Sequence, residues 1–277
     1  MKSNLLKQYL IKLALIAIIT LFAFVPLCTI FFKMSSNDWT YVMHDKSFGT
    51  SILNSFIYSL SSTAIVLILA TISAYLLDRA TFKHKKVIET LLTSTLLIPS
   101  LSIGLGVKIL FGRNGFIDKI FHLNLQFNGF PMLIICSVIA LFPVAFTTIY
   151  DALKYENKNV YLASNVLGIN QFSTFFHITL PYLKMPLLYS AFSVFSIIFC
   201  DYGIPMEVAG LVKTLPMYLY ENMVATLQYG RSSIAMLVLI APSMLLFVMN
   251  LLMKNESDKQ NAVLLPISKL QNALTLC

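Results

Sequence analysis

Apolar runs long enough to cross a bilayer recur six times along this chain, and no other feature constrains its fold as tightly. They lie at about 13–32, 52–77, 91–111, 131–150, 185–204 and 234–253. About 20 apolar residues in a helix cross a hydrocarbon core of roughly 30 Å. In that medium every backbone polar group needs an internal partner, so helices are the form expected of these runs. Composition agrees: 57% of the 277 residues are hydrophobic and 12% are charged, where soluble domains carry about 25% charged residues. The expectation is an all-α integral membrane protein, with six transmembrane helices over 1–254 and no separate soluble domain. The tail 255–277 begins polar and then turns apolar. It fits a frayed cytoplasmic tail or the truncated approach to a second half equally well.

Loop charges give the orientation. Lys2, Lys7 and Lys12 precede the first run, which is too long for a signal peptide and has no small-residue cleavage site after it. Thirteen of the twenty Lys and Arg fall in the N-terminus, 78–90, 151–184 and the tail, against six in the three opposite loops. Both termini are therefore expected in the cytoplasm. Trp39 and Tyr41 are expected as interfacial anchors, and 116–129 as an interfacial helix. Pro99 and Pro143 are expected to break the third and fourth helices. Ser59, Ser61, Ser62 and Thr63 suit close helix packing. Lys108 either snorkels to the outer interface or lines a pathway. The net charge of +8 is scattered through short loops, which gives no footprint for nucleic acid.

Enzymatic chemistry is not indicated. No G-x-x-x-x-G-K phosphate loop occurs, and His44, His84, His122 and His177 lie in different loops. Cys28, Cys136, Cys200 and Cys277 are far apart, which supports neither a zinc site nor a disulfide framework. No metal site and no catalytic residue are expected.

One loop segment, 161–181, reads YLASNVLGINQFSTFFHITLP. Ala163, Ser164 and Leu167 fall at helical spacing, Gly168 permits a left-handed turn, and Ile178, Leu180 and Pro181 close the segment. From periodicity alone, an interfacial amphipathic helix and a helix that docks into a partner's groove fit equally well. The spacing resembles the EAA loop of the membrane subunits of bacterial binding-protein-dependent ABC importers: Glu-Ala-Ala, three residues, Gly, nine residues, Ile-x-Leu-Pro. Leu162 stands where that pattern has Glu, which puts in doubt any polar contact made there. The resemblance extends to Asn54-Ser55, to the stretch ending at Asp78-Arg79, and to Ile98-Pro99. Asp201-Tyr-Gly-x-Pro is similar to a stretch of the ferric-iron, thiamine and aminoethylphosphonate branch.

The resemblance implies a permease in the bacterial cytoplasmic membrane, with a cytoplasmic coupling loop between helices four and five. Leu162, Ala163, Ser164, Leu167, Gly168, Ile178, Leu180 and Pro181 belong to that loop. The implied partners are cytoplasmic ATPase subunits, a second permease subunit of the same or similar chain, and an extracytoplasmic substrate-binding protein. ATP and magnesium would sit on the ATPase, with no cofactor on this chain. Asn54, Asp201 and Tyr202 are candidate pathway residues, although Asp201 equally fits a bond to its own loop backbone. The implied substrate is a small solute of the phosphonate, ferric-iron or thiamine kind, with a polyamine-type permease as the alternative. A secondary transporter or channel working without an ATPase would need ionisable residues inside several spans, and these runs are nearly free of them.

Overall fold

Helices and turns make up the computed structural model, which describes residues 2–80, 83–112, 115–121, 128–245 and 247–248. Helix α1 (Lys2–Ile19) continues through a π turn (Thr20–Phe24) into α2 (Val25–Phe32). Most of its described side chains are exposed, Phe22 and Phe32 to 75% and 87%. The polar stretch after it is helical, not a loop. In α3 (Ser36–His44) the Ser35 hydroxyl accepts from the Asn37 N–H while the Asp38 carboxylate accepts from the Ser35 N–H. That reciprocal cap satisfies two N-terminal donors. Trp39 and Tyr41 stand exposed on α3, and the Arg231 guanidinium lies 3.3 Å from the Tyr41 ring centroid.

Asp45 caps the next helix by accepting from the Ser47 N–H at 2.8 Å. Helix α4 (Lys46–Arg79) has 34 residues and, at 1.5 Å per residue, a length of about 51 Å. It is therefore longer than a hydrocarbon core of roughly 30 Å. Helix α5 (Lys85–Thr93) leads through a 3₁₀ turn (Ser94–Leu97) to Pro99. Ile98 is extended there, as the residue before proline is forced to be. Helix α6 (Ser100–Phe111) then departs at 102°. The expected third span, 91–111, is thus a sharply bent pair and not one rod.

Helix α7 (Phe116–Phe121) covers the start of the expected interfacial helix, 122–127 lie outside the described residues, and 128–129 are not helical. Helix α8 (Phe130–Lys154) runs unbroken through Pro143, contrary to the expected break. Pro143 is buried among helical neighbours, and the Thr147 hydroxyl donates to its carbonyl at 2.9 Å. In a packed bundle neighbouring helices support such a position.

Beyond α8 come α9 (Asn159–Val166), α10 (Gln171–Thr174), a π turn (Phe175–Thr179) and α11 (Leu180–Tyr182). Helix α12 (Lys184–Cys200) turns 67° away from the rod formed by 171–182. It stops at Cys200 and not at the expected 204. Helices α13 (Gly203–Val208) and α14 (Leu215–Tyr220) follow, then a π turn (Glu221–Ala225) and α15 (Tyr229–Leu245). The end of the expected sixth span and the tail 255–277 lie outside the described residues.

Among the described residues α4 and α8 are each long and apolar enough to cross a membrane. Counting each bent pair as one span gives four, with Ile11–Phe22 and Tyr229–Leu245 as shorter apolar helices.

The core lies between α4 and α8, with α12, α6 and α13 packed around it. On α4, Ser51, Ser55, Ser59 and Ser62 are buried, and side chains this small let the backbones approach closely. Tyr58 on the same face reaches across to bond the Ser137 hydroxyl of α8. A second cluster joins Val42 and Phe48 to Phe199, Leu215, Tyr218 and Ile234. The Tyr218 hydroxyl donates to the Asp45 carboxylate at 2.9 Å, tying α14 to the start of α4.

Candidate functional site

The segment between α8 and α12 is built from two short rods joined at Gly168. Gly168 has φ +68°, the left-handed conformation that glycine adopts without steric cost. Its N–H donates to Asn165 O at 3.1 Å, and the Ile169 N–H donates to Ser164 O at 3.0 Å. Together these bonds make the Schellman closure of α9. Asn170 then caps the second rod, accepting from the Phe172 N–H. Ile178 lies in the π turn, and Pro181 sits in the first turn of α11. The rod thus runs past Pro181 to Tyr182 before the chain bends.

Two hydroxyl pairs clamp the rods together. Ser164 Oγ and Thr174 Oγ1 are 2.7 Å apart, and Tyr161 Oη and Thr179 Oγ1 are 2.8 Å apart. All four side chains are buried. The expectation that Ser164 shares the outward face with Ala163 and Leu167 is therefore corrected: Ser164 points into its own loop. The exposed face carries Leu162, Ala163, Val166 and Leu167, with Val166 at 88% and Leu167 at 74%. Leu162 extends this apolar surface.

A charged cluster lies under the rods. The Arg79 guanidinium sits 3.5 Å from the Tyr161 ring centroid and forms ion pairs with Glu156 at 3.6 Å and Asp78 at 3.8 Å. Lys158 pairs with Asp78 at 3.8 Å. The Tyr161 hydroxyl donates to the Glu156 carboxylate. Burial raises the Glu156 pKa above the usual carboxylate value, although the Tyr161 hydroxyl and the Arg79 charge pull it back. Burial, with the bond to Glu156 adding to it, pushes the Tyr161 phenol up to about 12. No spacing in the sequence joins Arg79 to Glu156 and Tyr161, and the fold alone brings them together.

The candidate pathway residues stand apart from this loop. Asp201 ends α12, where its carboxylate accepts from the Ser100 hydroxyl at 2.9 Å and from the Ile204 N–H at 3.0 Å. Asn54 donates through Nδ2 to Lys213 O at 2.9 Å. The Tyr202 ring lies 4.7 Å from that of Tyr220. Lys108 pairs with Glu207 at 3.4 Å, joining α6 to α13. The structure brings Asp201 and Tyr202 together through their chain neighbours, with Asn54 bonded to the stretch before α14.

A helical membrane bundle with a projecting, internally clamped loop is the class that these features define. The profile of the family described as "Binding-protein-dependent transport system inner membrane component" matches residues 67–255, and the chain belongs to that family. It is 34% identical over 181 residues to the "Spermidine/putrescine transport system permease protein PotC homolog" of Mycoplasma genitalium, covering 64% of this chain and 60% of that protein. It is 27% identical over 157 residues to the "Ferric transport system permease protein FbpB" of Actinobacillus pleuropneumoniae, covering 54% and 23%. The matches thus span less than two thirds of either relative. The fold is shared with a chain of a bacterial alginate ABC transporter solved in complex with an alginate pentasaccharide-bound periplasmic protein. That match has a TM-score of 0.73 at 13% identity and covers 90% of this chain and 94% of the other.

Proposed function

We propose that this chain is a permease subunit of an ATP-driven importer, forming a translocation pathway with a second permease subunit. In this reading all six apolar runs cross the cytoplasmic membrane, the tail 255–277 and both termini are cytoplasmic, and 151–184 is the cytoplasmic loop. Leu162, Ala163, Val166 and Leu167 enter a groove on an ATPase subunit, which holds ATP and magnesium. An extracytoplasmic binding protein delivers the substrate. The observation that carries the reading is an apolar face exposed on a loop whose Ser164, Thr174, Tyr161 and Thr179 hydroxyls pair with one another on its inner side. Such a face is a contact surface held ready for a partner.

Among substrates, a polyamine is the first to test, because the relative at 34% identity bears that name and the ferric relative is at 27%. The test is capture of the tagged chain from its own cell's detergent-solubilised membranes, with quantification of co-purified subunits. An ATPase and two permease copies per complex are expected, and Val166→Asp is expected to lose the ATPase while remaining in the membrane. Repeated recovery of the intact chain alone refutes the reading. Uptake of labelled spermidine into proteoliposomes of the recovered complex tests the substrate, and uptake of ferric iron in its place refutes the polyamine choice.

A further inference from the structure

We infer that Arg79, Glu156 and Tyr161 are the positioning residues that make α4 and the coupling rods move as one body. The inference rests on the ATPase-coupled reading above and names the residues that carry it.

Arg79 is the last residue of α4, and its guanidinium meets two successive parts of the loop. It faces Glu156 in the turn after α8 and the Tyr161 ring in α9. Tyr161 then reaches Thr179 in the second rod through its hydroxyl. A single side chain on α4 is thereby tied to both rods. Lys158 and Asp78 make a second pair between loop and helix with the charges reversed, the cation on the loop and the anion on α4. Beside this cluster α4 and the rods are not tightly packed. A cavity of about 270 Å³ lies between them, bounded by Tyr75, Arg79, Tyr161, Asn165 and Gln171. Across it one ring contact remains, Tyr75 against Phe175 with centroids 4.9 Å apart. A push on α9 thus has a short polar route into α4 and little apolar contact in parallel.

The energetics favour positioning over stabilisation as the cluster's role. Glu156 is nearly buried, and burial outweighs Arg79 and Tyr161 in setting its pKa. Ionic groups kept where desolvation dominates add little to stability. What they do supply is geometry: a planar guanidinium over a ring and against a carboxylate holds one orientation that lysine cannot reproduce.

The experiment uses the assembled complex, with nitroxides on Thr50→Cys at the start of α4 and Asn159→Cys at the start of α9, both exposed in this chain and outside the docking face. The accessible native cysteines are replaced by serine. Distances are measured without nucleotide and after trapping with ATP, magnesium and vanadate. In otherwise wild-type protein the distance is expected to stay the same in both states. In Arg79→Gln it is expected to shift on trapping by at least about 2 Å, the scale of helix displacements in such transitions. Arg79→Lys is expected to fall between them.

A shift in the wild-type background, or no shift in Arg79→Gln, overturns the inference. If Arg79→Gln does not assemble, Tyr161→Phe is read in its place, since it keeps the ring under the guanidinium and removes only the hydroxyl. An unchanged distance there overturns the inference equally. Failure to recover an ATPase with wild-type chain overturns the functional reading itself, and the inference with it.

Discussion

Gly168→Val isolates the turn from everything around it. No atom lies within 4 Å of where a Cβ at this position would sit, so the substitution meets no steric obstacle and acts on the backbone alone. Holding a β-substituted residue in the left-handed region costs about 1–2 kcal/mol, and a β-branched residue sits at the upper end. The alternative is to leave that region and surrender the Gly168–Asn165 and Ile169–Ser164 bonds, each worth about 0.5–1.5 kcal/mol. Either route costs about 1–3 kcal/mol. Since 1.4 kcal/mol is a factor of about ten, amide exchange in a peptide covering 164–172 should rise about ten- to hundredfold in nanodiscs. Gly168→Asn should change it less than about fivefold, because asparagine tolerates this conformation. Hydrogen–deuterium exchange by mass spectrometry reads both. Equal exchange in the valine and asparagine variants would refute the reasoning, because it would mean that the left-handed φ carries no load.

Ser55→Ala should lower thermal stability by about 1–3 kcal/mol, because it strips the buried Leu215 N–H of the hydroxyl it meets at 2.7 Å. Ser55→Thr, which keeps the hydroxyl, should recover part of that loss. Tyr58→Phe should cost about 0.6–1.7 kcal/mol, the range for interhelical hydrogen bonds in membranes. Adding Ser137→Ala to it should cost less than Ser137→Ala alone, and strict additivity would count against the Tyr58–Ser137 bond. Asp201→Asn should be tolerated, since its amide can accept from Ile204 N–H while the Ser100 hydroxyl reverses. Asp201→Ala loses both contacts and should destabilise by about 1–2 kcal/mol, read as a lower melting temperature in detergent. The Glu156 pKa is higher in the fold than its ordinary value, so the folded loop holds that proton more tightly than the unfolded chain does. Its contribution is fullest below the ordinary carboxylate value of about 4.3 and is lost as pH rises through the folded pKa. Exchange protection of the loop should therefore fall across that window, and Glu156→Gln should flatten the dependence.

The apolar runs and the Gly168 turn were legible because each depends on local chemistry. Runs of about 20 apolar residues are sufficient to imply helices in a bilayer, and a glycine placed after a helical stretch is a closure signal in its own right. The two prolines show where local chemistry stops. Pro99 bends its helix pair by 102°, whereas Pro143 sits inside a continuous 25-residue helix. Both are preceded by apolar residues, and burial against neighbours is what separates them. The α3 helix was legible in principle, since Ser35 and Asp38 carry the capping-box spacing, but the polarity of the stretch pointed to a loop. Ser164 was misplaced for a different reason. Helical spacing says which residues share a face and not which face a loop turns inward, and it was Thr174 on the second rod that drew Ser164 inside.

Three of the interactions that no spacing revealed join residues far apart in sequence near the ends of α4. Arg79 meets the two rods after α8 at one end of α4, while Asp45 meets Tyr218 and Ser55 meets the Leu215 N–H towards the other. Between them the buried face of α4 carries Ser59, Ser62, Ala70 and Ala74, side chains that let α8 come close. Small side chains leave little room for one rod to slide over the other, because close-packed interiors transmit displacement instead of absorbing it. A helix that is stiff along its length and bonded at both ends behaves as a lever. The bends at Pro99 and Leu183 fall outside α4, which is itself one unbroken helix. In the proposed coupling, displacement entering at Arg79 passes along α4 to α14 and to the loop bonded to Asn54.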